Sequence, residues 1–298
     1  MNTSQSLISR ISFLSFFLAG CLTISISFAG KFDKVQIKAH PVSQTIYMLE
    51  GAGGNIGICA GEDGIFMIDA QFAELAERIE ASLGEIHSGQ LRFLLNTHWH
   101  QDHTSGNAFF GWKVPIMAHE NVRKRLMSIQ TRGERKFDPA PKQAWPILTY
   151  KESIKLHFNN EEIHIVHFPT GHTDGDSIVF FKNSNVIHMG DHFFNGKFPF
   201  VDMSSGGTVE GYLDNVLNVI KRAPDDVKII PGHGPLANLS DLKIFAHMIQ
   251  ETRKIILKRK QKGMSRAKIL KLGLPETWSS WGTGFISTQK WIETLLQN

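Results

Sequence analysis

Short apolar runs at residues 45–49, 55–59 and 65–69 are separated by Gly51-Ala52-Gly53-Gly54 and Gly61-Glu62-Asp63-Gly64. Runs of this length between glycine breaks predict three strands joined by turns. The pattern then changes period: Leu75, Ala76, Ile79 and Leu83 recur at helical spacing with Glu and Arg between them, so 73–83 is a helix that ends near Gly84. A strand at 91–95, a strand at 114–118 and a helix at 120–129 follow. Apolar alternation around Asn159-Asn160 predicts a hairpin of 154–158 with 163–168, and 178–181 with 186–188 a second one. Residues 209–222 are helical, 227–230 a strand, and 239–260 a long helix. Between them, 131–150 carries Pro139, Pro141 and Pro146 and is expected to be a long irregular loop, either a binding wall or a surface excursion. Strands followed by helices, then the same again, imply two β-rich halves with helices outside both.

The first residues stand apart from this pattern. Residues 1–29 combine one cation, Arg10, with an apolar run over 11–28 and small residues at Ser27 and Ala29, which reads as a signal peptide cleaved after Ala29. Leu18-Ala19-Gly20-Cys21 also reads as a lipobox, in which an acylated Cys21 becomes the mature terminus; the apolar stretch after Cys21 argues against it. Both readings export the protein to the periplasm or cell surface. The remainder, 30–298, is read as one domain, with 239–298 a helical basic extension packed on it.

With 42% hydrophobic and 20% charged residues, 298 positions suffice for a full globular core. The formal charge is +4, yet nine cations between Arg253 and Lys271 face no acidic residue in that interval, which leaves −5 for everything else. The basicity is local, so a nucleic-acid partner is not expected; an anionic membrane surface is a candidate partner for the basic tail, as is membrane contact through a lipidated Cys21. Cys59, the only other cysteine, lies in an apolar run and is read as a small buried hydrophobe.

The chemistry concentrates at strand ends. The 91–95 strand runs into His98-Trp99-His100-Gln101-Asp102-His103, three imidazoles and a carboxylate within six residues. These are ordinary Zn²⁺ donors. Gly171-His172-Thr173, Gly190-Asp191 and Gly232-His233-Gly234 leave three further strands in the same way. His157, His164 and His167 fall inside a strand pair and receive no role.

The ordered set HxHxDH, GHT, GD and GHG resembles the metallo-β-lactamase superfamily over residues 45–235. That resemblance implies an α+β fold, a four-layer αββα sandwich, with two zinc ions on one edge. It implies that His98, His100 and His172 hold the first ion, that Asp102, His103 and His233 hold the second, and that Asp191 bridges. A metal-bridging hydroxide would then be the nucleophile, with Asp102 a catalytic proton acceptor as well as a ligand. Asp69 is expected to support a ligand from behind, its alternative being a helix N-cap; Thr97, Thr173 and Asp174 are weaker candidates for the same work.

Asp191 stands where lactamases of the B1 and B2 classes carry cysteine, and aspartate there is usual in hydroxyacylglutathione hydrolases, lactonases and sulfatases of the superfamily. The run Gly190 to Lys197 is similar to a thioesterase pattern in which Lys197 binds a substrate carboxylate. The implied activity is a zinc-dependent hydrolase of a small ester, thioester, lactone or lactam. The alternatives are a metallo-β-lactamase with weak or true lactam hydrolysis, and a non-catalytic zinc-binding accessory protein.

Overall fold

The first sheet is built from β1 (Lys38–Pro41), β2 (Ile46–Glu50), β3 (Ile56–Gly61), β4 (Gly64–Ile68), β5 (Leu91–Leu95) and β6 (Ile116–His119). They lie in that order in a computed structural model that describes residues 30–132 and 134–297. The leader read at 1–29, with Cys21, falls outside the described residues. The ribbon β7 (Gln130–Arg132) and β8 (Arg135–Phe137) stands apart, and β9 (Leu148–Tyr150) adds the seventh strand, parallel to β6. The second sheet runs in order through β10 (Ser153–Phe158), β11 (Glu161–His167), β12 (Ser177–Phe181), β13 (Val186–His188), β14 (Lys228–Ile230) and β15 (Ala237–Asn238).

Side-chain parity explains the layering, because successive residues of a strand face opposite sides of the sheet. On β4, Phe66 and Ile68 point inward to a core shared with Val179 and Phe181 of β12, while Ile65 and Met67 point outward. The outward face of the first sheet is covered by α1 (Ala76–Ile86) through Ala76, Ile79 and Leu83. Three short helices, α2 (Gln101–Thr104), α3 (Asn107–Phe110) and α4 (Glu120–Leu126), complete that side of the chain. The second sheet sends Ile178, Phe180 and Ile187 outward to α5 (Val209–Arg222) and α6 (Leu239–Gln261). The result is a four-layer αββα sandwich. Strands apolar on both faces, such as β4 and β12, are what burial between two layers requires.

Three boundaries differ from the sequence reading for local reasons. A 3₁₀ turn at Ala73–Leu75 precedes α1, and α1 continues through Gly84 to Ile86, since nothing crowds that exposed glycine and its cost of about 1 kcal/mol is tolerable there. β6 starts after Pro115, which has no N–H to give a ladder. The 131–150 segment is not irregular throughout: it contains parts of the β7–β8 ribbon, a 3₁₀ turn at Lys142–Ala144 and the edge strand β9. Its prolines fall between these pieces, each too short to display a period.

At the β10–β11 hairpin, Asn159 and Asn160 both take positive φ, 54° and 58°, the requirement of a tight two-residue turn. The Asn159 amide also donates to the Cys59 and Gly64 carbonyls and accepts from Asp63 N–H, which fastens this turn to the first sheet. The C-terminal part, α7 (Arg266–Leu272), a 3₁₀ turn at Glu276–Thr283 and α8 (Thr288–Gln297), docks on α6. Trp278, Trp281 and Trp291 join the outer core of the second sheet, and the Trp291 indole donates to Thr252 Oγ1 at 3.0 Å. No helix among the described residues is long and apolar enough to cross a membrane.

His119 and His167 stack with ring centroids 3.7 Å apart. Burial, then the neighbouring imidazole, lowers His119 to about 4, and burial lowers His167 as well. His119 Nδ1 accepts the Asn121 N–H as the N-cap of α4, so it must be unprotonated to do so. The unfolded chain therefore takes up protons near pH 6.5 that the folded chain refuses, and stability is retained above that pH and lost as pH falls towards 4. Thermal denaturation should show Tm falling from about pH 7 to about pH 5. His119→Gln should lower Tm at the higher pH through the lost cap and flatten the fall; an unchanged slope in that variant would contradict the assignment.

Candidate metal centre

Each strand that ends at this edge of the sandwich hands a polar side chain to the same point. β5 leads into the loop that bears His98 to His103, β11 into His172, β13 into Asp191 and β14 into His233. Donor atoms of His98, His100, His172 and Asp191 lie within 4.8 Å of one another, and so do those of Asp102, His103 and His233. Asp191 stands between the two sets. Its Oδ2 is 3.7 Å from His98 Nε2 and 3.4 Å from His172 Nε2, whereas Oδ1 is 3.1 Å from His103 Nε2 and 3.3 Å from His233 Nε2.

The outer nitrogens of four of these imidazoles are held from behind. His103 Nδ1 meets Asp69 Oδ2 at 2.7 Å, His100 Nε2 meets Asp202 Oδ2 at 2.9 Å, and His172 Nδ1 meets the Phe200 carbonyl at 2.7 Å. His98 Nδ1 lies 3.0 Å from Thr97 Oγ1, whose own proton goes to Asp69. A ring that donates outward keeps its inner nitrogen as a lone pair, which is what a metal needs.

The residues fit metal ions on a direct observation. His98 Nε2, His103 Nε2 and Asp191 Oδ1 are buried and make no well-aligned hydrogen bond, although the last two lie 3.1 Å apart. Orphaned buried polar atoms are costly, and cations placed between them satisfy all three at once. Glycine keeps the space open: a Cβ on Gly54 would collide with the His103 ring, and one on Gly232 with Asp191 Oδ1.

Electrostatics divides the set. Burial, reinforced by His103, holds His98 well below its usual range, and burial lowers His172 to about 4, so both are neutral donors. Burial opposes ionisation of Asp191 and Asp102, but the surrounding histidines, His103 first, outweigh it and keep both carboxylates charged. Burial likewise opposes protonation of His233, yet Asp191 outweighs it and raises His233 to about 9. One buried and one half-buried carboxylate thus demand positive charge at this spot.

Other residues singled out from the sequence fall as follows. Asp69 is fully buried with φ +67° and accepts from Thr97 N–H and Thr97 Oγ1 as well as from His103. Its oxygens are committed there, and the following 3₁₀ turn and α1 have no side-chain cap, so the N-cap alternative fails. Asp174 pairs with Arg125 through two bonds of 2.7 Å, and Thr173 braces the buried Asp176; neither hydrogen-bonds a ligand ring. Lys197 is half-buried and donates to Thr283 Oγ1 at 2.5 Å, on the C-terminal segment. Asp202 was not legible: it sits in an irregular stretch with no period and is recognised only by its contacts, accepting from Ser204, Ser205 and His100. Tyr212 was missed too; its hydroxyl donates to the Asp191 carbonyl at 2.6 Å and fixes the turn that carries the Asp191 carboxylate.

The chain is similar to known proteins. A probable metallo-hydrolase of Methanocaldococcus jannaschii is 25% identical over 68% of this chain and 94% of its own length. A hydroxyacylglutathione hydrolase of Pelagibacter ubique is 28% identical over 48% of this chain and 52% of its own. Among solved structures, a metallo-beta-lactamase from Pontibacter korlensis superposes with a TM-score of 0.62 at 15% identity, over 72% of this chain and 99% of that one. The family model of the metallo-beta-lactamase superfamily matches residues 49–233, which include all seven converging side chains. The chain belongs to the metallo-beta-lactamase superfamily and is a metallo-hydrolase of it.

Proposed function

We propose that the protein is a di-zinc hydrolase of a small ester, thioester, lactone or lactam. The observation that carries this reading is Asp191, whose two oxygens face two separate donor sets. His98, His100 and His172 would hold one ion, Asp102, His103 and His233 the other, with Asp191 shared. When bound, two zinc ions supply an acidified water and a Lewis acid for the scissile carbonyl. The chain's own groups do the rest. Asp69, Asp202, Thr97 and the Phe200 carbonyl fix the tautomers of His103, His100, His98 and His172, so that these four donors need not reorient during turnover. Asp102 is the more exposed of the two carboxylates at the centre and is proposed, besides its place in the second donor set, to accept a proton during turnover. Lys197 keeps N–H donors beyond the one given to Thr283 and is proposed to meet a substrate carboxylate.

The kinship with a hydroxyacylglutathione hydrolase favours a thioester among these substrates. The signal-peptide reading of residues 1–29 places this activity outside the cytoplasm, and it is part of the proposal. Elemental analysis of the purified protein should give two zinc ions per chain, and a panel of acyl esters, thioesters, lactones and lactams should reveal turnover abolished by a chelator. Protein replete in zinc yet inert on every class would sink the hydrolase reading and leave a zinc-binding accessory protein.

A further inference from the structure

Phe285 is 84% exposed, the most exposed large apolar side chain among the described residues. It does not lie on a frayed end. Trp281 before it and Ile286 after it are buried in the outer core, and the Trp281 carbonyl accepts the Phe198 N–H at 3.1 Å. The segment is pinned on both sides and still presents a bare phenyl ring. A single exposed apolar ring is ordinary in itself; what sets this one apart is the chain of aromatic contacts that joins it to the metal centre.

The ring's position shows which ligand. Phe285 lies edge-on to Phe200, centroids 6.0 Å apart and planes at 89°. Phe200 in turn packs against His100 at 5.7 Å and His172 at 5.8 Å. Phe194 stacks on His233 at 4.9 Å. An aromatic path therefore runs from the ligand imidazoles to the surface and ends on a residue well outside the matched family segment, 49–233.

We infer that Phe285, with Phe200, forms the acyl-recognition wall of the site, so that the substrate carries an aryl or long alkyl group next to its scissile carbonyl. The inference rests on the hydrolase reading and deepens it. A polar or very small acyl group gains nothing from this wall, whereas an extended apolar one removes both its own surface and the exposed ring from water.

The test uses the zinc-loaded mature protein, Phe285→Ala and Phe285→Leu. Being exposed, Phe285 should be replaceable with Tm unchanged. For 4-phenylbutyryl thioesters the alanine variant should lose roughly tenfold in kcat/KM, mostly through KM, while acetyl thioesters change less than about twofold and leucine restores most of the loss. Saturation-transfer NMR with 4-phenylbutyrate gives a readout without turnover: binding should weaken in Phe285→Ala and recover in Phe285→Leu. Equal loss for both acyl groups, or unaltered phenylbutyrate binding, would overturn the wall. A protein that binds phenylbutyrate through Phe285 but hydrolyses nothing would instead overturn the hydrolase reading.

Discussion

On the proposed di-zinc reading, Asp191→Ala is expected to abolish the paired metal centre, lowering zinc content below two per chain and cutting kcat/KM by ~10²–10³-fold or more. The expectation follows from where its oxygens lie. Oδ2 faces His98 and His172, and Oδ1 faces His103 and His233. Among the described residues no other carboxylate pairs with both sets, so its loss removes one donor from each and the negative charge between them. Asp191→Asn separates the two effects, because the amide keeps an oxygen donor and the side-chain volume but not the charge. It should retain more zinc than the alanine variant and still lose most activity. The turn should survive both changes, since Tyr212 holds the backbone carbonyl rather than the side chain. Elemental analysis beside steady-state kinetics measures this, and an alanine variant with full zinc and full turnover would falsify the bridging role.

Legibility in the sequence followed the range of the forces involved. The strands and their covering helices could be read because short apolar runs and helical spacing are local properties of the chain, whereas the four-layer stacking was implied by the resemblance to the superfamily. The seven donors could be read because strand ends deliver them in short, fixed spacings, and the structure brings all seven together. What supports the donors was only partly legible. Asp69 stood out at a strand terminus, but Asp202 and the Phe200 carbonyl come from an irregular stretch whose shape depends on packing against the C-terminal turn. Phe285 reads with Trp278, Trp281 and Trp291 as apolar area that docks on the core or roofs the site; the three tryptophans are buried and Phe285 is exposed, because Trp281 and Ile286 take the buried positions on either side. The 131–150 segment misled for the opposite reason, its prolines marking joints between very short strands rather than the absence of strands.

Asp69 should prove as important to metal binding as a ligand, although it faces away from the donor cluster. Its carboxylate accepts from Thr97 N–H, from Thr97 Oγ1 and from His103 Nδ1, each at 2.7 Å and all buried. Asp69→Ala strands those donors and places alanine at φ +67°, so the metal-free protein should lose about 3 kcal/mol in denaturant unfolding. Asp69→Asn should be far milder for the fold, since asparagine tolerates left-handed backbone and its oxygen still accepts the Thr97 N–H. For the metal the two variants should be alike. An amide turned towards His103 offers a donor where the carboxylate offered an acceptor, and the ring must then accept at Nδ1. Its proton moves to Nε2, the nitrogen that faces Asp191 and the second donor set, and the lone pair is gone. Zinc affinity by chelator competition should fall ~10–100-fold in both variants. Asparagine that binds zinc as tightly as the native chain would show that Asp69 serves packing alone and that the tautomer of His103 is set elsewhere.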